Sequence, residues 1–283
     1  MRKSATFMAL SIPILVVVLM LAGCAKAEQS AAPAAAEPTA SSLGILEAGK
    51  LIVGTSADYP PYEFRLQKDN SSEIVGIDIA IAEAIATELN LKLEVRDFYF
   101  SKLFPALDNG EVDMLIAGLS PTEDRKQKMD FSEVYYTALQ NMVVRKADHT
   151  LFSDLDNLRD KRIGTQQSSI QAEMVKKVVR GAQFLEKQTV HELIDALKAN
   201  ELDAVMIEAP VAEALAYKDS DLAVIEIAKG EATPGLEMLV SAIAVKKGNQ
   251  ALLDQINVVL RKLISENRID SYAADAKTLM DLP

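Results

Sequence analysis

The chain has a single cysteine in 283 residues, Cys24, and two histidines, His149 and His191. One cysteine excludes an intrachain disulfide, so the apolar core must hold the fold. Two isolated histidines, with no Cys/His/carboxylate group at ligand spacing, offer no metal site. No nucleophile elbow and no phosphate-binding glycine loop occurs, and no cofactor is implied. The ten methionines are scattered and read as core. Positive charge is scarce as well: 30 Lys and Arg stand against 41 Asp and Glu, a net charge of −11 that becomes −13 without Arg2 and Lys3. That balance disfavours nucleic acid and a basic amphipathic helix lying on anionic lipid. One apolar run, Phe7 to Ala22, is broken only by Ser11 and Pro13 and falls short of the about 20 residues that a membrane span needs.

That run follows Arg2 and Lys3 and precedes Gly23-Cys24, the layout of a secretory signal peptide. Leu21-Ala22-Gly23-Cys24 resembles the bacterial lipobox, whose cysteine becomes the lipidated first residue of the mature chain. The resemblance makes residues 1–23 a signal peptide. Cys24 becomes the attachment point of a palmitate-type lipid that anchors the protein to a membrane outside the cytoplasm. Residues 24–42 are rich in Ala, Pro, Ser, Glu and Thr and too poor in large apolar side chains to offset ordering entropy, so they read as a tether.

From Leu43 onward, strand-like and helix-like segments alternate, which is the α/β pattern. One motif occurs twice, ninety positions apart: Leu103, Ala106, Leu107, Glu111 and Asp113 recur as Leu193, Ala196, Leu197, Glu201 and Asp203. Each copy reads as an amphipathic helix, a tight turn and a buried-type strand, Val112 to Ile116 and Leu202 to Ile207. Two such units predict two similar lobes forming a hinged clamp of periplasmic-binding-protein type, with the ligand beyond the strand ends. The extended segments Gln140–Arg145 and Met238–Val245 are the expected crossings. Lobe 1 then comprises 43–141 and 239–283, and lobe 2 comprises 142–238. Asp78 and Ser101 are expected helix caps. Ser168 or Ser169 is expected to open a helix, and the last helix is expected over Gln250 to Glu266.

Three loci carry recognition chemistry. Gly54 to Phe64 combines Tyr59 and Tyr62 with a stiff Pro60-Pro61 pair. It reads either as an aromatic wall for a small ligand or as a loop packed on its own lobe. Ser120 to Arg125 turns into a helix, where Arg125 can grip a carboxylate with two hydrogen bonds or lie solvated beside Glu123 and Asp124. Glu208, at the matching strand end, can accept an ammonium group. Together they describe a site for an α-amino acid.

At these residues the chain resembles the extracellular solute-binding proteins of polar amino-acid ABC importers (family 3), from about Lys50 to the end. The marks are Gly54 to Phe64, Val75 to Ala80, Ala117 to Thr122 with Arg125, and Asp130-Phe131-Ser132. The resemblance implies a monomeric, non-enzymatic binding protein whose partners are a polar amino acid and a membrane permease. It implies that Arg125 holds the α-carboxylate, helped by Ser120 and the backbone at Ala117 and Gly118. Glu208 would hold the α-ammonium, Ser169 and Ile170 would give backbone donors, and Tyr59 and Phe100 would sandwich the ligand side chain. Ile170 departs from a frequent threonine. Ser56 stands where binders of basic amino acids often have aspartate, which favours an uncharged amide ligand over lysine or arginine, with Asp58 and Glu63 next in line to restore negative charge. The same fold also serves secreted cyclohexadienyl dehydratases and amino-acid sensors, the two alternative readings.

Overall fold

The structure is a computed structural model that describes residues 43–68, 71–152, 155–227 and 238–281. The expected signal peptide, the lipid site Cys24 and the tether lie outside the described residues. In chain order the first part contains β1 (Lys50–Thr55), β2 (Asp58–Tyr59), β3 (Glu63–Lys68), β4 (Ser71–Val75), α1 (Ile77–Glu88), β5 (Lys92–Asp97) and α2 (Phe100–Asp108). It continues with β6 (Met114–Leu115), α3 (Glu123–Lys128), β7 (Met129–Phe131), β8 (Tyr136–Ala138) and β9 (Gln140–Arg145). The second part contains β10 (Arg162–Gln166), α4 (Gln171–Val178), β11 (Gln183–Lys187), α5 (Val190–Lys198), β12 (Ala204–Glu208), α6 (Ala209–Lys218) and β13 (Leu222–Glu226). The chain then runs through β14 (Leu239–Ser241), β15 (Ala244–Lys246), α7 (Gln250–Ser265) and α8 (Arg268–Leu279). Among the described residues no helix is long and apolar enough to cross a membrane.

The fold is two-lobed α/β, and the two five-stranded sheets share one plan. The first has the order β5-β1-β6-β15-β7 and the second β11-β10-β12-β9-β13. In each, the first three strands are parallel, and the fourth runs antiparallel to both of its neighbours. The duplicated motif builds this symmetry. Leu103, Ala106 and Leu107 of α2 are buried, as are Leu193, Ala196 and Leu197 of α5. Asp113 and Asp203 then play the same part at the start of the third strand. Asp113 accepts from the Leu46 and Ile52 N–H groups at 2.7 Å each, and Asp203 accepts from the Arg162 N–H at 2.8 Å. Each carboxylate thereby ties its strand to the neighbouring parallel strand, β1 or β10. Strands β1 and β10 also match: a Cβ on Gly54 would lie 2.7 Å from Leu115 Cδ2, and one on Gly164 would lie 2.5 Å from Leu202 Cδ1. A side chain at either place would force the neighbouring leucine to shift.

Several local expectations need correction. Gln140–Arg145 is not a crossing but an interior strand of the second sheet, and Ala244–Lys246 belongs to the first. The crossing is a short antiparallel ribbon of β8 with β14. A crossing strand that runs straight into a sheet has the same extended pattern, so its sequence does not mark the join. Asp78 caps nothing: Gly76 holds the cap position of α1, and the Asp78 carboxyl points into the lobe. Ser101 lies inside α2, whose cap position is Tyr99. The helix expected to open at Ser168 or Ser169 begins at Gln171. After α7 a further helix, α8, packs against α1 and α7. It buries only Ile269 and Ala276, which explains its weak apolar pattern.

Asp113→Ala leaves two N–H groups without their acceptor, the Ile52 one fully buried. We expect it to lower stability by about 2–4 kcal/mol in urea unfolding. A loss below about 1 kcal/mol would remove Asp113 as a structural tie.

Candidate ligand-binding cleft

The carboxyl ends of the parallel strands converge on one cavity between the lobes. Its walls are Tyr59, Phe100, Ala117, Gly118, Ser120 and Arg125 from the first lobe and Gln166, Ser169, Ile170, Gln171 and Glu208 from the second. Local capping sets two of these elements: Thr122 accepts from the Arg125 N–H to start α3, and a Thr189–Glu192 capping box starts α5. The lobes are closed on each other. Arg125 Nη2 donates to the Ser168 carbonyl (3.1 Å), the Tyr62 hydroxyl donates to Glu208 Oε2 (2.7 Å), and the Val190 N–H donates to Asp58 Oδ2 (2.7 Å).

Arg125 is the dominant positive charge of the cleft. Its Nη1 donates to the Ser120 carbonyl (2.9 Å), and its guanidinium carbon lies 4.7 Å from the Phe104 ring centre and 5.7 Å from that of Phe100. Among the described residues no carboxylate pairs with it. Burial alone pulls its pKa down to about 10, so it stays charged at neutral pH. Carbonyls and ring faces stabilise a guanidinium, but they leave its charge uncompensated.

Glu208 is the matching negative group. It is 2% exposed, and its carboxyl accepts a hydrogen bond from the Tyr62 hydroxyl. Burial raises its pKa to about 7, with the Tyr62 hydroxyl opposing and the Asp78 charge adding to the rise. Behind it, in the first lobe, Asp78 Oδ2 accepts from the Gly118 N–H (2.9 Å) and the Tyr135 hydroxyl (2.8 Å). Burial lifts Asp78 to about 6 despite those donors. The Glu63 carboxyl lies beside it and has no other partner among the described residues; burial first, then the Asp78 charge, push Glu63 well above the carboxylate range. Glu63 therefore faces the lobe interior rather than a ligand.

Nine of the ten expected ligand-binding residues line this cavity: Tyr59, Phe100, Ala117, Gly118, Ser120, Arg125, Ser169, Ile170 and Glu208. Ser56 does not. It lines a neighbouring surface pocket, and its hydroxyl donates to Asp58 Oδ1 (3.2 Å). The Ser169 N–H is already spent on the Gln166 carbonyl (3.1 Å), so Ser169 offers its hydroxyl, which is buried without a partner among the described residues. Gly118 has φ +55°, and its N–H is held by Asp78, so only its carbonyl can face a ligand. Gln166 and Gln171 were not anticipated. Gln166 ends a parallel strand, as Glu208 does, and that position was the available signal.

Residues 51–275 match the family model of bacterial extracellular solute-binding proteins, family 3. The chain is 37% identical to an arginine-binding extracellular protein of Bacillus subtilis (strain 168), covering 78% of this chain and 83% of that one. It is 27% identical to a glutamine-binding ABC transporter protein of the same organism, covering 89% and 90%. An amino-acid ABC transporter substrate-binding protein from Streptococcus pneumoniae, solved bound to L-arginine, superposes with a TM-score of 0.77 at 31% identity, covering 82% of this chain and 96% of that one.

A cationic ligand group seated on Glu208 needs the carboxylate form. Affinity is therefore expected to rise with pH through about 7 and to fall by up to about tenfold per unit below it, with protons released on binding. Ligand-free stability should move the other way. Asp78 and Glu208 have folded-state pKa values raised above their unfolded ones, so their contribution is full below about pH 4 and is lost as pH rises through 6 to 7. Calorimetry and thermal melts across that range check both slopes. An affinity independent of pH would exclude Glu208 as the cation acceptor.

Proposed function

The chain belongs to the bacterial extracellular solute-binding proteins, family 3, and from that premise we propose that it captures a polar α-amino acid outside the cytoplasmic membrane and delivers it to the permease of an ABC importer. The observation that carries the ligand class is the pair of buried, uncompensated charges on opposite walls of the cleft, Arg125 and Glu208. An α-amino acid brings both missing counter-charges on one carbon. Its carboxylate would take two hydrogen bonds from Arg125, aided by the Ser120 and Ser169 hydroxyls and the Ile170 N–H. Its ammonium would sit against Glu208 and the Gly118 carbonyl, since the Gly118 N–H expected to serve the carboxylate is held by Asp78, while the Ala117 backbone keeps its expected place beside the carboxylate. Tyr59 and Phe100 would flank the side chain. Relatives that bind arginine and glutamine agree with a polar side chain.

The lobes are assigned as 43–141 with 239–283 and 142–238, with β9 as a whole counted to the second lobe's sheet, and the bound unit as a monomer. Residues 1–23 are assigned as a signal peptide and Cys24 as the lipid anchor, on the apolar run and the Leu21-Ala22-Gly23-Cys24 motif. Ligand groups split between two lobes stabilise the closed form over the open one, so binding drives closure.

Arg125→Ala is expected to weaken amino-acid binding by about 2–5 kcal/mol while the protein still folds. Calorimetry gives the affinity, and circular dichroism checks the fold. Small-angle scattering of the native protein should show a smaller radius of gyration with ligand. Unchanged affinity in Arg125→Ala would sink the carboxylate assignment.

A further inference from the structure

Asp58 lies behind the cavity wall, where its carboxylate meets the second lobe. It accepts from the Val190 N–H (2.7 Å), the Ser56 hydroxyl (3.2 Å) and Gln166 Nε2, which lies 3.4 Å from Oδ1 and 3.3 Å from Oδ2. Gln166 Nε2 also donates to the Gln188 carbonyl (3.3 Å). Every partner of that nitrogen is an acceptor. A carboxylate and a carbonyl cannot donate, so the amide cannot turn over without setting its oxygen against acceptor oxygens. Its Oε1 accepts nothing among the described residues, and Gln166 lines the ligand cavity. The other glutamine of the cavity is tied only through a second amide: Gln171 Nε2 donates to Gln140 Oε1 (3.0 Å), and Gln140 Nε2 donates to the Leu139 carbonyl (3.4 Å).

We propose that Asp58 is a specificity-positioning residue: it holds the Gln166 amide nitrogen from across the cleft, so that Gln166 Oε1 faces the ligand side chain. The site then admits side chains that end in N–H donors, whether guanidinium, ammonium or amide, and turns away those that end in a carboxylate. The proposal rests on the amino-acid reading of the site, in which Arg125 and Glu208 bind the groups common to all α-amino acids. The side-chain end is left to Gln166 and Gln171 as its polar neighbours. A carboxylate there would face an acceptor oxygen, which repels it. An acceptor at this wall makes up for the aspartate that Ser56 lacks, through a residue two places later in the sequence.

The test is a set of calorimetric dissociation constants for L-arginine, L-glutamine and L-glutamate with the full chain at neutral pH. Glutamine and glutamate have nearly the same shape and differ in whether the side chain ends in a donor. The wild type should bind the tighter of arginine and glutamine at least about hundredfold more tightly than glutamate, because a site built for a donor rejects an analogue lacking it. Asp58→Asn, which keeps an oxygen for the Val190 N–H but lets the Gln166 amide turn, should cut that ratio tenfold or more with an unchanged melting temperature. Gln166→Met should also cut it. The double variant should go no further than Gln166→Met, because Asp58 acts only through Gln166. A ratio kept in Asp58→Asn, an additive double variant, or a wild type indifferent to glutamate would overturn the proposal while leaving the amino-acid reading intact. A wild type that binds no α-amino acid would overturn both.

Discussion

Two buried charges of opposite sign, Arg125 and Glu208, lack a counter-charge among the described residues, and the cleft is organised around that imbalance. An unpaired charge in a desolvated site is costly. The protein moderates the cost without cancelling it. Arg125 leans on two carbonyls and two aromatic rings, and Glu208 on one hydroxyl. Opening the lobes would return both groups to water, and closing them on a zwitterion would neutralise both at once. The free energy of ligand binding and that of lobe closure are in this way linked.

The duplicated architecture places these charges. Each sheet delivers its parallel strand ends to the same cavity: β6 leads to Ala117 and Gly118, β10 ends at Gln166 and β12 ends at Glu208. The short β8–β14 ribbon joins the lobes near Tyr135, whose hydroxyl holds Asp78, which in turn holds the Gly118 N–H. A chain of hydrogen bonds thus runs from beside the crossing to the ligand-facing loop.

Much of this could be read from residue types and spacing. The repeat at Leu103 and Leu193 marked the symmetric units, because a helix face at spacing three and four and an aspartate before an apolar run are local signals. Arg125 and Glu208 were legible because strand ends in α/β folds collect ligand groups. What escaped depends on three-dimensional neighbours. Asp78 and Glu63 look like solvent-side acids on a helix and a strand, yet both are fully buried beside each other. Asp58 was recognised as acidic, but the direction of its side chain is set by Val190 and Gln166, more than a hundred residues away in sequence. The Ser169 N–H looked available until the turn with Gln166 accounted for it. The crossing was misplaced because β9 and the ribbon strand β8 are consecutive extended segments.

The central claim is that the cleft reads the two charges of an α-amino acid, one per lobe. The most direct measurement compares the affinity of the tightest-binding amino acid with those of its α-carboxamide and its des-amino analogue, all three keeping the same side chain. Each loss removes one counter-charge from a desolvated partner, so both analogues should bind at least about hundredfold more weakly than the parent. An analogue that binds as tightly as the parent would contradict the account on the side of the charge it lacks.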